Sequence, residues 1–198
     1  MHDVIRAKSD AGEELLVASV DCEKAFDSVS FASLLEPASA SPYQAAVKNL
    51  TCSQRLRMDG TNRWFYPRRG TPQGGALSPA LFNAAIERVH LALQKLPKVV
   101  LNGLSVNHLQ WADDLIVIGS SSKDLGELIA SAKDSLGACG LKFNPKKSNL
   151  LTINSQVTAV AGIKATDSLK YLGVFFNSRG IDAKKDFEHR KNNLLSAS

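Results

Sequence analysis

Residues 106–118 read VNHLQWADDLIVI, two apolar runs on either side of Asp113 and Asp114. Val106 to Ala112 and Leu115 to Ile118 have the length of strands. Aspartate suits tight turns because its side chain bonds nearby backbone amides. The stretch is therefore expected to form a β-hairpin with two carboxylates at its turn.

Working outward, a helix is expected on each side. Upstream, Leu81, Phe82, Ala85, Ile86 and Val89 recur at helical spacing, with Ser78 as N-cap, Pro79 at the first helical position and Pro97 as the stop. Downstream, a helix opening at Ser121 or Ser122 buries Leu125, Leu128, Ile129, Ala132 and Leu136 and ends at Gly140. Beyond these, LLVASVD (Leu15 to Asp21) reads as a buried strand ending at a carboxylate, Ser148 to Ile153 as a strand, and Leu169 to Phe176 as a strand or hairpin. The order is strand, helix, strand-strand, helix, strand. That is an α+β chain of the ferredoxin-like βαββαβ type, an antiparallel sheet backed by helices. In that topology the first strand pairs beside the central hairpin, so Asp21 is brought to Asp113 and Asp114.

Between the first strand and the upstream helix lie a short helix around Phe31 to Leu35, a loop EPASASP, a second short helix from Tyr43 to Leu50, and a small arginine-rich hairpin inserted at Gln54 to Tyr66. Arg55, Arg57, Arg63, Arg68 and Arg69 are interleaved there with Trp64, Phe65 and Tyr66. Two readings stand: phosphate contacts with base stacking, or a solvated face with Trp64 and Tyr66 turned inward. Lys142, Lys146 and Lys147 form a second basic group.

The 198 residues suffice for one domain with its own core, and 44% hydrophobic with 22% charged residues is globular composition. A net charge of +5 suits a polyanionic partner. Cys22, Cys52 and Cys139 are odd in number and widely spaced, which fits neither a disulfide framework nor a zinc pattern. No secretory signal or membrane-spanning run is read, so the expectation is an intracellular protein of cytoplasm or nucleus.

Chemistry follows from the three carboxylates. Two of them held ~4 Å apart repel by about 4 kcal/mol at an effective dielectric near 20, which a cation would offset. Carboxylates are hard oxygen ligands, which suit Mg²⁺ or Mn²⁺. Two such ions serve an in-line phosphoryl transfer. Phe26, five residues beyond Asp21, either walls a nucleotide pocket or packs in the core. Gly70, Gly74 and Gly75 either permit close backbone approach to a ligand or a base pair or simply form a turn.

Together these segments resemble reverse transcriptases of the non-LTR (LINE-type) retrotransposons. VDCEKAFDSV (20–29) is similar to the family's first palm motif and GTPQGGALSPALFN (70–83) to its second. WADD (111–114), GLKFNPKKS (140–148) and KYLGV (170–174) resemble the three that follow, in the family's order. The resemblance implies a polymerase palm acting as an RNA-directed DNA polymerase on an RNA template, a DNA primer and deoxynucleoside triphosphates. It implies Asp21 and Asp113 as the principal ligands of two Mg²⁺ or Mn²⁺ ions, Asp114 in support, and a backbone carbonyl from Cys22. Phe26 becomes the steric gate against ribonucleotides. Gln73 and Gly74 border the nucleotide and template, Lys147 assists departure of pyrophosphate, and Tyr171, Leu172 and Gly173 grip the primer. Arg55, Arg57, Arg68 and Arg69 are the further nucleic-acid contacts.

Against that family pattern, residues 1–198 read as one reverse transcriptase domain, a palm with partial fingers, the upstream fingers and the thumb being missing. The alternative expectation is accordingly a catalytically incomplete palm fragment that at most binds nucleic acid.

Overall fold

An unbroken apolar run such as LLVASV buries both of its faces only inside a covered sheet, and the chain is built around that strand. In the computed structural model, which describes residues 1–57, 59–72 and 74–196, the elements run α1 (His2–Asp10), β1 (Leu15–Val20), α2 (Ala25–Ser28), α3 (Phe31–Leu35), a 3-10 turn (Glu36–Ala38), α4 (Gln44–Cys52), β2 (Leu56–Arg57), β3 (Trp64–Phe65) and α5 (Ser78–Leu93). They continue through β4 (Val99–Leu101), β5 (Leu104–Val106), β6 (His108–Trp111), β7 (Asp114–Gly119) and α6 (Ser122–Ala138). The last are β8 (Leu150–Ile153), β9 (Ala159–Val160), β10 (Ile163–Lys164), β11 (Leu169–Tyr171), β12 (Val174–Asn177), β13 (Gly180–Ile181) and α7 (Ala183–Ser196).

The chain divides into two compact units. The first comprises Met1–Asp21, Gln94–Ala130 and Pro145–Ser198, the second Cys22–Leu93 and Ser131–Asn144.

The first unit holds a four-stranded sheet in the order β6-β7-β1-β8 with every pair antiparallel, which is the expected ferredoxin-like order. Val17 faces Ile118 and Leu151, while Ala18 faces Val117 and Leu150, so alternate residues of β1 supply opposite faces. On one face Leu15, Val17, Ile116, Ile118, Leu151 and Ile153 share a core with Ile5 of α1, Leu169 and Phe176. On the other, Leu16, Ala18, Val20, Val117 and Leu150 are buried as well. Leu125, Leu128 and Ile129 of α6 are also buried, at the expected spacing. Each such side chain stabilises the fold by about 1.5–3 kcal/mol.

In the second unit the Ser30 hydroxyl accepts from the N–H of Ser33 (3.1 Å) and starts α3, which packs on α4 and α5. Phe82, Ala85, Ile86 and Val89 form the buried stripe of α5. The Cys139 thiol donates to the Ala85 carbonyl (3.2 Å), a structural role for a free cysteine. Burial pushes that thiol's pKa up.

Several expectations need correction. Asp114 is the first residue of β7, so the turn is Ala112-Asp113. Ser78 lies within α5, and its hydroxyl donates to the Pro72 carbonyl (2.6 Å). EPASASP contains a 3-10 turn. Other elements went unforeseen: α1, α2, α7, the β4–β5 hairpin around Asn102-Gly103, the β9–β10 pair and β13. Among the described residues no helix is long and apolar enough to cross a membrane.

Candidate active site

Register builds the site. Val20 pairs with Leu115 and Trp111 with Asp114, so the residue that follows Val20 continues the ladder alongside Asp114. That residue is Asp21. Asp113 stands at the connecting turn beside Ala112, whose φ of 50° closes a two-residue loop. A non-glycine residue is uncommon in this left-handed region.

A loop from the far end of the chain fixes Asp21. The backbone N–H of Asp21 donates to the Ser148 hydroxyl at 3.0 Å, and Ser148 is buried. One residue pair further on, the Ser19 hydroxyl accepts from the N–H of Asn149 (2.9 Å), and the Ser19 N–H donates to the Asn149 carbonyl (2.9 Å). Lys147 is exposed on this same loop, and its carbonyl accepts from Asn149 Nδ2 (3.3 Å). Sequence reasoning missed Ser148 and Ser19. Their partners lie 127 and 130 residues away, and no local pattern announces such a pairing.

Asp114 stands within electrostatic reach of both other carboxylates. The pKa of Asp114 is raised above its ordinary value, first by burial and then by the negative charges of Asp113 and Asp21. Asp21 Oδ2 is buried, whereas Asp113 and Asp114 are exposed. Among the described residues no three His, Cys, Asp or Glu side chains stand close enough to form a ready-made cation cage. The donor set fits a hard cation of the Mg²⁺ class, which holds several waters and uses only one or two protein carboxylates. Tyr171 lies on the same unit, half-buried. Burial pushes its phenol pKa up, and the Asp114 charge acts in the same direction. Leu172 (φ 47°) and Gly173 (φ 81°) form the tip of the β11–β12 hairpin.

In the second unit, half-buried Phe26 stacks on Phe82 with ring centroids 4.3 Å apart and 17° between planes. The Gly70 and Thr71 amides donate to the carbonyls of Val29 (2.7 Å) and Phe26 (2.8 Å). A Cβ on Gly70 would stand 2.7 Å from the Asp27 carbonyl oxygen, so this glycine is held against the chain's own backbone. Gly74 turns at a φ of 82°, and Gln73 lies outside the described residues. Arg69 and Thr71 line a cleft of about 390 Å³ with Asp27, Thr51 and Gln54.

The arginine hairpin is open to solvent. Trp64 and Tyr66 are exposed, which removes the inward-packing alternative. Arg55 lies over the Trp64 ring (4.5 Å). Arg57 is spent on its own turn, donating to Asn62 Oδ1 (2.7 Å) and the Thr61 carbonyl (3.2 Å). Arg68 and Arg69 are exposed.

Residues 2–176 match the family model described as reverse transcriptase (RNA-dependent DNA polymerase), and the chain belongs to that family. Reverse transcriptases generally use a divalent metal. Within the family, the chain is 28% identical over 193 residues to the Pol polyprotein of a type-1 retrotransposable element R2 of Nasonia vitripennis, covering 84% of this chain and 18% of that protein. It is 29% identical over 190 residues to the Pol polyprotein of a type-2 R2 element of Drosophila melanogaster, covering 83% and 18%. The chain thus spans about a fifth of the length of these relatives. Its fold is similar to that of apo telomerase from Candida tropicalis truncated from its C-terminal domain. That match has a TM-score of 0.66 and 14% identity, over 91% of this chain and 37% of that one. Telomerase from Candida albicans gives a TM-score of 0.62 at 14% identity, over 90% and 32%.

Proposed function

We propose that the chain is the palm, with part of the fingers, of an RNA-directed DNA polymerase from a retrotransposon-type element. It would add deoxynucleotides to the 3′ end of a DNA primer on an RNA template, inside the cell. The observation that carries this reading is the meeting of Asp21 with Asp113 and Asp114 at the end of β1 and the β6–β7 turn.

Two Mg²⁺ or Mn²⁺ ions, when bound, activate the primer hydroxyl and stabilise the leaving pyrophosphate. Asp21 and Asp113 would hold them, with Asp114 and the Cys22 carbonyl in support. Asp21, tethered at its own amide by Ser148, brings a carboxylate whose backbone needs no rearrangement on binding. Lys147, exposed beside that tether, would give its proton to the departing pyrophosphate. Tyr171, Leu172 and Gly173 would hold the primer, and Arg55, Arg57, Arg68 and Arg69 would contact nucleic-acid phosphates. The roles proposed for Phe26 as steric gate, and for Gln73 and Gly74 beside nucleotide and template, rest on the motif resemblance alone.

The test is extension of a DNA primer on an RNA template with Mg²⁺ and with Mn²⁺, beside Asp113→Asn. Incorporation by the parent chain and none by the variant is expected. No incorporation from a folded sample would reduce the chain to a nucleic-acid-binding fragment.

A further inference from the structure

The strands β11, β12 and β13 form a separate antiparallel sheet with two different faces. Leu169 and Phe176 point into the core of the first unit, and Tyr171 packs against it. Alternation therefore sends Lys170 and Phe175, which are paired across β11 and β12, to the opposite face. There α7 packs against β12.

Basic groups gather on that face around a single ring. Lys170 Nζ lies 5.4 Å and Lys185 Nζ 5.2 Å from the centroid of Phe175, and the His189 imidazole meets the same ring edge-on at 5.3 Å. Lys170 Nζ also stands 3.0 Å from His189 Nε2, and Asn193 Nδ2 stands 3.3 Å from the same nitrogen. Ammonium and amide nitrogens only donate, so His189 Nε2 is placed as an acceptor between Lys170 and Asn193. Lys185 Nζ donates to the Ser168 hydroxyl.

Two carboxylates, Asp182 and Asp186, stand at the start of α7, and neither forms an ion pair with these lysines. Asp186 pairs with Arg190 (2.9 Å), and Asp182 Oδ1 accepts from the Lys185 backbone N–H (3.1 Å). Among the described residues neither Lys170 nor Lys185 forms an ion pair with a carboxylate. Two ammonium groups held on one aromatic ring without an anion repel each other. The ring's negative face offsets only part of that repulsion.

We propose that Lys170 and Lys185, mounted on Phe175 and flanked by His189, form a phosphodiester-binding site for a nucleic-acid strand, on the face of the β11–β13 sheet opposite Tyr171. The family to which the chain belongs favours nucleic acid over other phosphate carriers. The inference rests on the proposed function for its class of partner. It adds a contact to the strand backbone away from the carboxylates, one that reads no base.

The experiment measures equilibrium binding of the full chain to single-stranded and duplex oligonucleotides of several sequences, and to vesicles containing phosphatidylserine, across a salt series. The parent is compared with Lys170→Gln, Lys185→Gln, the double variant and the two Lys→Arg replacements, with thermal melts confirming each fold. Each Gln substitution is expected to weaken binding by a similar factor for all sequences. The salt slope should fall by about 0.7 per lysine on single strands and about 0.9 on duplex. Lys→Arg should retain the slope. An unchanged slope in the double variant overturns the proposal. So does a loss confined to vesicles containing phosphatidylserine, with oligonucleotide binding intact. The outcome is separable from primer extension, because a reduced slope in a chain that does not extend primers supports this site while the polymerase reading fails.

Discussion

The backbone amide of Asp21 donates to the hydroxyl of Ser148, 3.0 Å away and 127 residues further along the chain. This bond ties the end of β1 to the loop carrying Lys147. Ser148→Ala would leave the Asp21 amide short of its partner in a part-buried position. The expected cost is about 1–3 kcal/mol of stability, read from denaturant unfolding, with a fall in the rate of primer extension. An unchanged unfolding midpoint would remove the tether from the account of the site.

Asp114 carries a pKa raised by burial and by Asp113 and Asp21. Its native carboxyl therefore holds its proton to higher pH than in the unfolded chain. Stability is lost as pH rises from the ordinary aspartate value of 3.8 through the raised one. Asp114→Asn removes that loss. In metal-free buffer at neutral pH the variant should melt at a higher temperature than the parent. Below pH 3.8, where both forms are uncharged at this position, the difference should vanish. An equal or lower melting temperature at neutral pH contradicts the repulsion.

Gly70 adopts a φ of 87° and brings its Cα against the Asp27 carbonyl. An alanine there meets both the left-handed penalty of about 1–2 kcal/mol and a backbone oxygen that cannot swing aside. Gly70→Ala should destabilise the protein by more than that penalty alone. A substitution within ±0.5 kcal/mol, the range of ordinary surface changes, would mean that the loop yields freely.

Trp64 is half-exposed beneath the Arg55 guanidinium. Trp64→Ala is expected to leave the unfolding midpoint almost unchanged while weakening single-strand binding by about 1–3 kcal/mol, the worth of one stacked base. Oligonucleotide titration and denaturation on the same samples separate these effects. Unaltered affinity would leave the hairpin without a role in stacking.

The elements carrying the motifs were legible because their periodicity is local. LLVASV announces a strand covered on both faces, the α5 and α6 stripes repeat at helical spacing, and the Asp113-Asp114 pair between apolar runs marks the hairpin. Helix α1 was not foreseen because it is nine residues long and buries only Ile5. The β4–β5 hairpin did carry a signal, the Asn-Gly dipeptide at its turn, which favours the positive φ of both residues. Asp114 was placed in the turn because an Asp-Asp pair alone cannot fix which residue closes a two-residue loop. Pairing with Trp111 decides that.

The sequence by itself determined the family, the order of the four central strands, and that Asp21 would come to Asp113 and Asp114, because strand order follows from the βαββαβ pattern and side-chain alternation from backbone geometry. Only the tertiary structure decided that Ser148 anchors Asp21, that the arginine hairpin turns its aromatics outward, and that Lys170, Lys185 and His189 meet over Phe175. These are contacts between segments distant in sequence or choices between two faces of a short ribbon. Packing settles them, and no local preference encodes them.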